Sequence, residues 1–171
     1  KRLNWHLALG LGQENYKFHD HEKLAHYANA AADIEFKFPF GFKELEGIHS
    51  RTDFDLSAHE KFSGRKLQYF DPERNENYVP YVVETSIGLD RMFLALFSNC
   101  LKDEVLEDGS ERTVLSLPPA LAPVKAAILP LVKKDGLPEF AEKIFNDLKY
   151  DFNVISEEKD SIGKRYRRQD A

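Results

Sequence analysis

The chain has 171 residues, 42% of them apolar, and a formal charge of −5; it is long enough for one large or two small domains with a proper core, and its acidic average excludes a non-specific coat on nucleic acid, so any such contact must be local. The single cysteine, Cys100, excludes an internal disulfide framework and a cysteine-based zinc site and fits a reducing cytoplasm. No run approaches the ~20 apolar residues of a membrane span and no signal-like stretch opens the chain, so no membrane partner is expected.

Near the start, Trp5 beside His6 reads as a packing residue. In HDHEKLAHYANAAA, Leu24, Tyr27, Ala28 and Ala31 recur at helical spacing and predict a helix over about 20–32. His19, His21 and His26 do not share one helical face and lack acid pairs at ligand spacing, so they read as structural and no metal site is expected. Ile34, Phe36 and Phe38 then alternate with Glu35 and Lys37, a half-buried strand. After a turn at 39–41 a second strand, FKELEGI, is expected to place Phe42, Glu44 and Glu46 on one face. A polar segment of mixed charge leads to a strand at VPYVVET and, past Gly88, to a helix with Leu89, Met92, Phe93, Leu96, Phe97, Cys100 and Leu101 on one stripe.

Between Asn99 and Arg112 the sequence becomes acidic and aperiodic, with Asp108 and Gly109 marking a turn; this is the expected linker. Beyond it TVLSL and VKAAILPL read as strands, PEFAEKIFNDLKY as a helix with Ala141, Ile144, Phe145 and Leu148 inward, and FNVIS as a strand. Strands alternating with helices indicate an α/β module.

Three segments carry candidate chemistry. In ETSIGLDRMFLALF a strand ends in Glu84 and Ser86, turns at Gly88 and enters a helix with Arg91 on its first turn. A glycine there permits close backbone approach, and a planar guanidinium can stack on a purine or clamp a triphosphate. FPFGFKELEGIHSRTDFDLSAH gathers Glu44, Glu46 and Arg51, the last with Asp53 and Asp55 as alternative salt-bridge partners. SIGKRYRRQD holds the densest positive patch, Lys164, Arg165, Arg167 and Arg168, with Tyr166 interleaved as a stacking surface.

The first of these segments resembles motif 3 of class II aminoacyl-tRNA synthetases, and its Glu84-Thr85-Ser86 followed by Gly88-Leu89-Asp90-Arg91 is similar to the glycyl-tRNA synthetase version, in which proline is usual where Thr85 stands. The second is similar to the Glu-Leu-x-Gly-Ile-x-x-Arg stretch of that family, and the third to the Ser-Ile-Gly-x-Arg-Tyr motif of an anticodon-binding domain shared by glycyl, histidyl, prolyl and threonyl enzymes. The resemblance runs from the HEKLAHYA segment to the final residue, with the motifs in order. A prolyl or threonyl relative would not be expected to carry ELEGIHSR.

The resemblance implies an α+β fold, part of a class II antiparallel sheet with flanking helices over residues 1–111, followed over 112–171 by an α/β anticodon-binding domain incomplete at its C-terminus. It implies a cytoplasmic, homodimeric ligase that activates glycine with ATP and Mg²⁺ and passes it to tRNA(Gly). Catalysis would be positioning and electrostatics, with no proton-transfer residue assigned. It implies that Glu44, Glu84 and Ser86 bind glycine and that Arg91 and Gly88 bind ATP. Arg51 and Glu46 have either a substrate or a structural role, and Lys164, Arg165, Arg167 and Arg168 contact tRNA. Motifs 1 and 2 are expected upstream of Lys1, so the chain is expected to be a part of a longer enzyme, inactive alone. The rival reading is a synthetase-like, non-enzymatic nucleic-acid-binding accessory subunit.

Overall fold

The computed structural model describes residues 1–170, in which five α-helices and ten short, mostly antiparallel strands form an α+β structure. The chain divides into two compact units, one of residues 1–3 and 12–95, the other of residues 4–11 and 96 onward. After α1 (Arg2–Ala8) and a 3-10 turn at Gln13–Asn15, the first unit contains β1 (Tyr16–Asp20), β2 (Ala30–Phe38), β3 (Gly41–Ser50), α2 (Phe54–Ser63), β4 (Tyr69–Asp71), β5 (Glu76–Tyr78) and β6 (Val83–Ile87). Helix α3 (Leu89–Cys100) follows.

A four-stranded antiparallel sheet of order β1-β2-β3-β6 organises the first unit. The alternation read from the sequence holds in β2: Ile34, Phe36 and Phe38 are buried. The rings of Phe36 and Phe38 form an edge-to-face chain with Tyr16, 5.1 Å from Tyr16 to Phe36 and 5.3 Å from Phe36 to Phe38. In β3 the alternation breaks. Glu35 pairs with Glu44 but Ile34 pairs with Glu46, so Leu45 is an extra, bulged residue. Phe42, Glu44 and Glu46 therefore do not share one face: beyond the bulge the side-chain direction is reversed, and Glu46 points with Ile34 into the core while Glu44 stays with Glu35.

The helix expected over 20–32 does not form. Ala30, Ala31 and Ala32 are recruited into β2 opposite Ser50, His49 and Ile48, and the loop before them is tied to the sheet through His21 N–H to Ala31 O (3.1 Å) and Asn29 N–H to Ser50 O (3.0 Å). Main-chain pairing with β3 outweighs a short helical pattern whose one large aliphatic residue, Leu24, remains exposed. The segment between Arg51 and Pro80 is more ordered than its polar sequence suggests. Helix α2 has no buried residue and so no apolar stripe to read; it ends at Gly64, whose φ of 70° supplies the left-handed cap with its N–H on Glu60 O. Strands β4 and β5 form a hairpin.

Of the predicted α3 stripe, Cys100 is buried, whereas Leu89, Phe93, Phe97 and Leu101 are exposed. The same inversion occurs at the N-terminus: His6 is buried and Trp5, edge-on to it at 5.0 Å, is half exposed.

In the second unit the expected linker is a hairpin. Helix α3 passes directly into β7 (Leu101–Val105), which pairs with β8 (Glu111–Leu115) around a turn where Gly109 has φ +78° and the Asp108 carboxylate accepts from Ser110 N–H (3.0 Å) and Oγ (2.5 Å). Strand β7 is largely polar and lacks the alternation that announces a strand, whereas the strand read at TVLSL forms as β8. The predicted alternation beyond it forms: β9 (Ala126–Ile128), α4 (Leu137–Leu148) and β10 (Val154–Ser156), with β9 and β10 parallel. Helix α5 (Ile162–Asp170) closes the described chain.

Burial pushes the Tyr16 phenol up to about 12, from an ordinary ~10. A raised pKa favours the neutral form in the fold, so the associated stability is complete below pH ~10 and is lost as pH rises through about 12. Phenolate absorbance during alkaline titration should show one late-titrating tyrosine, absent from Tyr16→Phe.

Candidate functional site

The sheet has one apolar and one polar face, and the register identifies the members of the polar one. His19 lies opposite Asp33 and Lys17 opposite Glu35; Glu35 lies opposite Glu44 and Asp33 opposite Gly47; Gly47 lies opposite Ser86 and His49 opposite Glu84. Three predicted residues from two distant segments, Glu44, Glu84 and Ser86, thus lie on the same face, as directly paired residues share a side of the sheet.

The turn into α3 adds the fourth. Arg91 donates through Nη1 to the main-chain carbonyl of Glu44, tying the first turn of the helix to β3. Gly88 immediately precedes that helix, with Met92 N–H on its carbonyl at 2.9 Å. A Cβ at Gly88 would sit 3.6 Å from Arg91 Cβ, an ordinary contact, so crowding within this chain does not itself require glycine there.

Arg51 is fully engaged. Its Nε and Nη2 donate to the two oxygens of Asp55 at 2.5 and 3.0 Å, and its Nη1 donates to Glu84 Oε2 at 2.7 Å. The guanidinium also lies 4.0 Å from the centre of the Tyr27 ring. Of the two alternatives for its partner, Asp55 and not Asp53 is the one used. Hydrogen bonding from Arg51 holds the Asp55 carboxyl below its usual range, against the opposing effect of desolvation, and Asp55 in turn raises Arg51.

Residues that sequence reasoning passed over complete the polar face. Lys17 Nζ meets Glu35 at 2.8 Å and His21 Nε2 meets Asp33 at 2.9 Å, while His19 lies 3.5 Å from Glu35 and stacks on His21. Hydrogen bonding from Lys17 is the first cause holding Glu35 below the ordinary carboxylate range. The polar half of the β2 alternation, Asp33, Glu35 and Lys37, was the available signal. His26 belongs elsewhere, edge-on to Phe54 at 5.2 Å. Among the described residues no group of three or more His, Cys, Asp or Glu side chains is arranged to hold a metal ion.

Glu46 is not part of this face. It is fully buried opposite Ile34 and Ile87, and its carboxylate receives Arg2 through both Nε and Nη2, the latter at 3.0 Å. The basic patch on α5 also separates by role. Arg165, 3% exposed, donates to the carbonyls of Pro130 (2.7 Å), Glu157 (3.1 Å) and Leu131 (3.3 Å). Arg168 bridges Asp160 (2.9 Å) and Glu157 (2.5 Å). Lys164, Tyr166 and Arg167 face solvent.

No family model matches the chain. It is 53% identical over 171 residues to a protein of Chlorobaculum tepidum named glycine--tRNA ligase, 51% over 175 residues to one of that name from Borrelia hermsii and 54% over 169 residues to one from Bacillus cereus. The matches cover 98–99% of the chain and 36–39% of the relatives, so the chain spans little more than a third of the length of the curated proteins it matches.

The Arg2–Glu46 pair yields a stability prediction. Removing the partner of a buried charge costs about 3 kcal/mol or more, so Arg2→Ala should lower the unfolding free energy by that amount, seen as a lower denaturant midpoint at unchanged m-value. Arg2→Lys should recover only part, because one ammonium cannot reproduce the two-pronged contact.

Proposed function

We propose that this chain, homologous along its whole length to part of the glycine–tRNA ligases, carries the amino-acid end of a glycine-activating site and the beginning of a tRNA-recognition module. Residues 1–111 would belong to a class II catalytic domain and 112–171 to an anticodon-binding domain, in a cytoplasmic homodimer. The observation that carries the reading is the register of the sheet: it brings Glu44, Glu84 and Ser86 onto one face, beside an Arg91 anchored to the Glu44 carbonyl.

On this reading the complete enzyme runs two displacements. A glycine carboxylate oxygen attacks the α-phosphorus of ATP and pyrophosphate leaves; then a terminal ribose hydroxyl of the tRNA attacks the carbonyl carbon and AMP leaves. Glu84 and Glu44 hold the substrate ammonium, charge against charge. Ser86 supplies a hydroxyl contact, and Arg91, at the turn made by Gly88, meets the nucleotide. Magnesium would accompany the triphosphate as its counter-ion; the described residues supply no cluster to hold it. Lys164 and Arg167, exposed on α5, would meet RNA phosphate, with Arg168 beside them and Arg165 holding the helix in place.

Three measurements test this. In the complete ligase, Glu84→Gln keeps shape and removes charge. A hydrogen bond to a charged group is worth ~1.5–3 kcal/mol, so kcat/KM for glycine should fall ~10- to 100-fold with the ATP KM little changed. A defect confined to ATP would reassign Glu84 to the nucleotide, and a complete protein without glycine-dependent pyrophosphate exchange would favour the accessory-subunit reading. The 171-residue chain by itself should show no exchange near the complete enzyme's rate, since each missing electrostatic group commonly costs ~10²-fold or more. Replacing Lys164 and Arg167 together by alanine should weaken tRNA binding and reduce the slope of log K against log salt by about 1 per lost phosphate contact, with glycine activation untouched.

A further inference from the structure

Arg51 reaches Glu84 from the end of β3, and its position there is built by the chain that follows. Thr52 adopts φ 55°, a left-handed value uncommon for a threonine. The turn is held by Phe54 N–H on Arg51 O (3.3 Å) and by two strand-like bonds to β6's lead-in, Arg51 N–H to Val82 O and Val82 N–H to Thr52 O, both 2.8 Å. It brings the first turn of α2 under the guanidinium, where Asp55 takes the Nε and Nη2 edge. The same turn supplies Phe54, which lies 6.3 Å from the Tyr27 ring on which Arg51 rests. His49, the register partner of Glu84, also lies 6.3 Å from the Tyr27 ring.

A guanidinium offers two two-pronged edges that match a carboxylate, Nε with Nη2 and Nη1 with Nη2, and a carboxylate that takes both donors of an edge is neutralised and has both oxygens occupied. Here Asp55 takes the Nε and Nη2 edge. Glu84 receives Nη1 alone, on Oε2, and no other described residue is hydrogen-bonded to its carboxylate. The chain Asp55–Arg51–Glu84 holds two negative charges against one positive, so Glu84 remains a net anion with Oε1 open.

We propose that Asp55 is a positioning residue for the ammonium site: by holding the Nε and Nη2 edge of Arg51 it fixes the guanidinium where only Nη1 reaches Glu84, and so leaves Glu84 one oxygen to present to the substrate cation. Without Asp55 the guanidinium is released, turns a two-pronged edge to Glu84 and neutralises the charge that the ammonium needs. Tyr27 limits that turning by supporting the guanidinium plane. The inference rests on the assignment of Glu84 to the glycine ammonium.

The test uses the complete ligase with Asp55→Asn, Asp55→Glu, Glu84→Gln and the double variant Asp55→Asn/Glu84→Gln, assayed by pyrophosphate exchange. Asp55→Asn should raise the glycine KM about tenfold with the ATP KM within about twofold, a split that general loosening of the fold would not produce. Asp55→Glu, which keeps the charge that takes the fork, should recover part of the loss. Because Asp55 acts through Glu84, the double variant should be no worse than Glu84→Gln alone. Losses that multiply in the double variant, an unchanged glycine KM in Asp55→Asn, or equal damage to glycine and ATP parameters would each overturn the proposal. If Glu84→Gln is defective and Asp55→Asn is not, the positioning role alone fails; if Glu84→Gln is silent, the ammonium assignment and this inference fail together.

Discussion

The one-residue bulge at Leu45 governs what the central sheet can do. Before it, β3 is in step with β2 so that Glu44 shares the polar face with Glu35; after it, Gly47 and His49 return to that face and Glu46 goes to the other. A regular strand would have sent Glu44 and Glu46 the same way. It would then have either buried both carboxylates or exposed both. The bulge separates two glutamates two positions apart, so that one remains exposed and the other is fully buried. Everything placed on β6 by pairing with β3 inherits this choice, since Ser86 and Glu84 meet Gly47 and His49.

Burying Glu46 has a cost that only a partner offsets, because a carboxylate removed from water must be paired and hydrogen-bonded to remain charged. Arg2 provides the match with two guanidinium donors, although it lies 44 residues away in the sequence. Such a pair adds little net stability compared with an apolar pair of the same shape, but it penalises every other register of β3. A slip by one residue would bury Leu45 or Gly47 opposite Ile34 and leave Arg2 without its acceptor. The pair thus favours the register on which the polar face depends.

What was legible in the sequence followed the apolar pattern. Ile34, Phe36 and Phe38 announced β2, and the periodic stripes announced α3 and α4. The motif comparison placed Glu44, Glu84, Ser86 and Arg91 in one site, and the register brings three of them to one face, with Arg91 bonded to the main chain of the first. What was not legible lacked such a pattern. Helix α2 buries nothing, and β7 is polar through its middle, so neither has a periodicity to detect. The bulge at Leu45 is a property of pairing between strands and cannot be read from one of them. The Asp20–Ala32 segment carries a helical spacing that main-chain pairing overrides at its end. On α5 four basic residues look alike in sequence, yet Arg165 is spent on three carbonyls and Arg168 on two carboxylates. Charge counts in a motif measure potential contacts, and only geometry says how many remain for a partner.

The same accounting on the polar face locates where a cation is best received. Asp33 is engaged by His21, and Glu35 by Lys17 and His19. Glu84 gives one oxygen to Arg51, and Glu44 gives Arg91 its main-chain carbonyl and not its carboxylate. The carboxylate oxygens that remain for a ligand therefore concentrate toward the β3–β6 side of the sheet and not toward β1. Side-chain bulk is lowest beside them, where Gly47 faces Ser86. A Cβ at Gly47 would already approach His49 Cε1 to 3.1 Å, so this part of the floor accepts no larger residue without displacing the histidine next to Glu84. Charge with little bulk suits the proposed recognition of an ammonium on a substrate that has no side chain to grip. Because Ser86 is itself exposed, the described residues furnish the anchor for that ammonium and not a wall against a β-carbon. On the proposed assignment, then, these residues account for holding the ammonium of glycine, and discrimination against larger amino acids falls to groups outside this set.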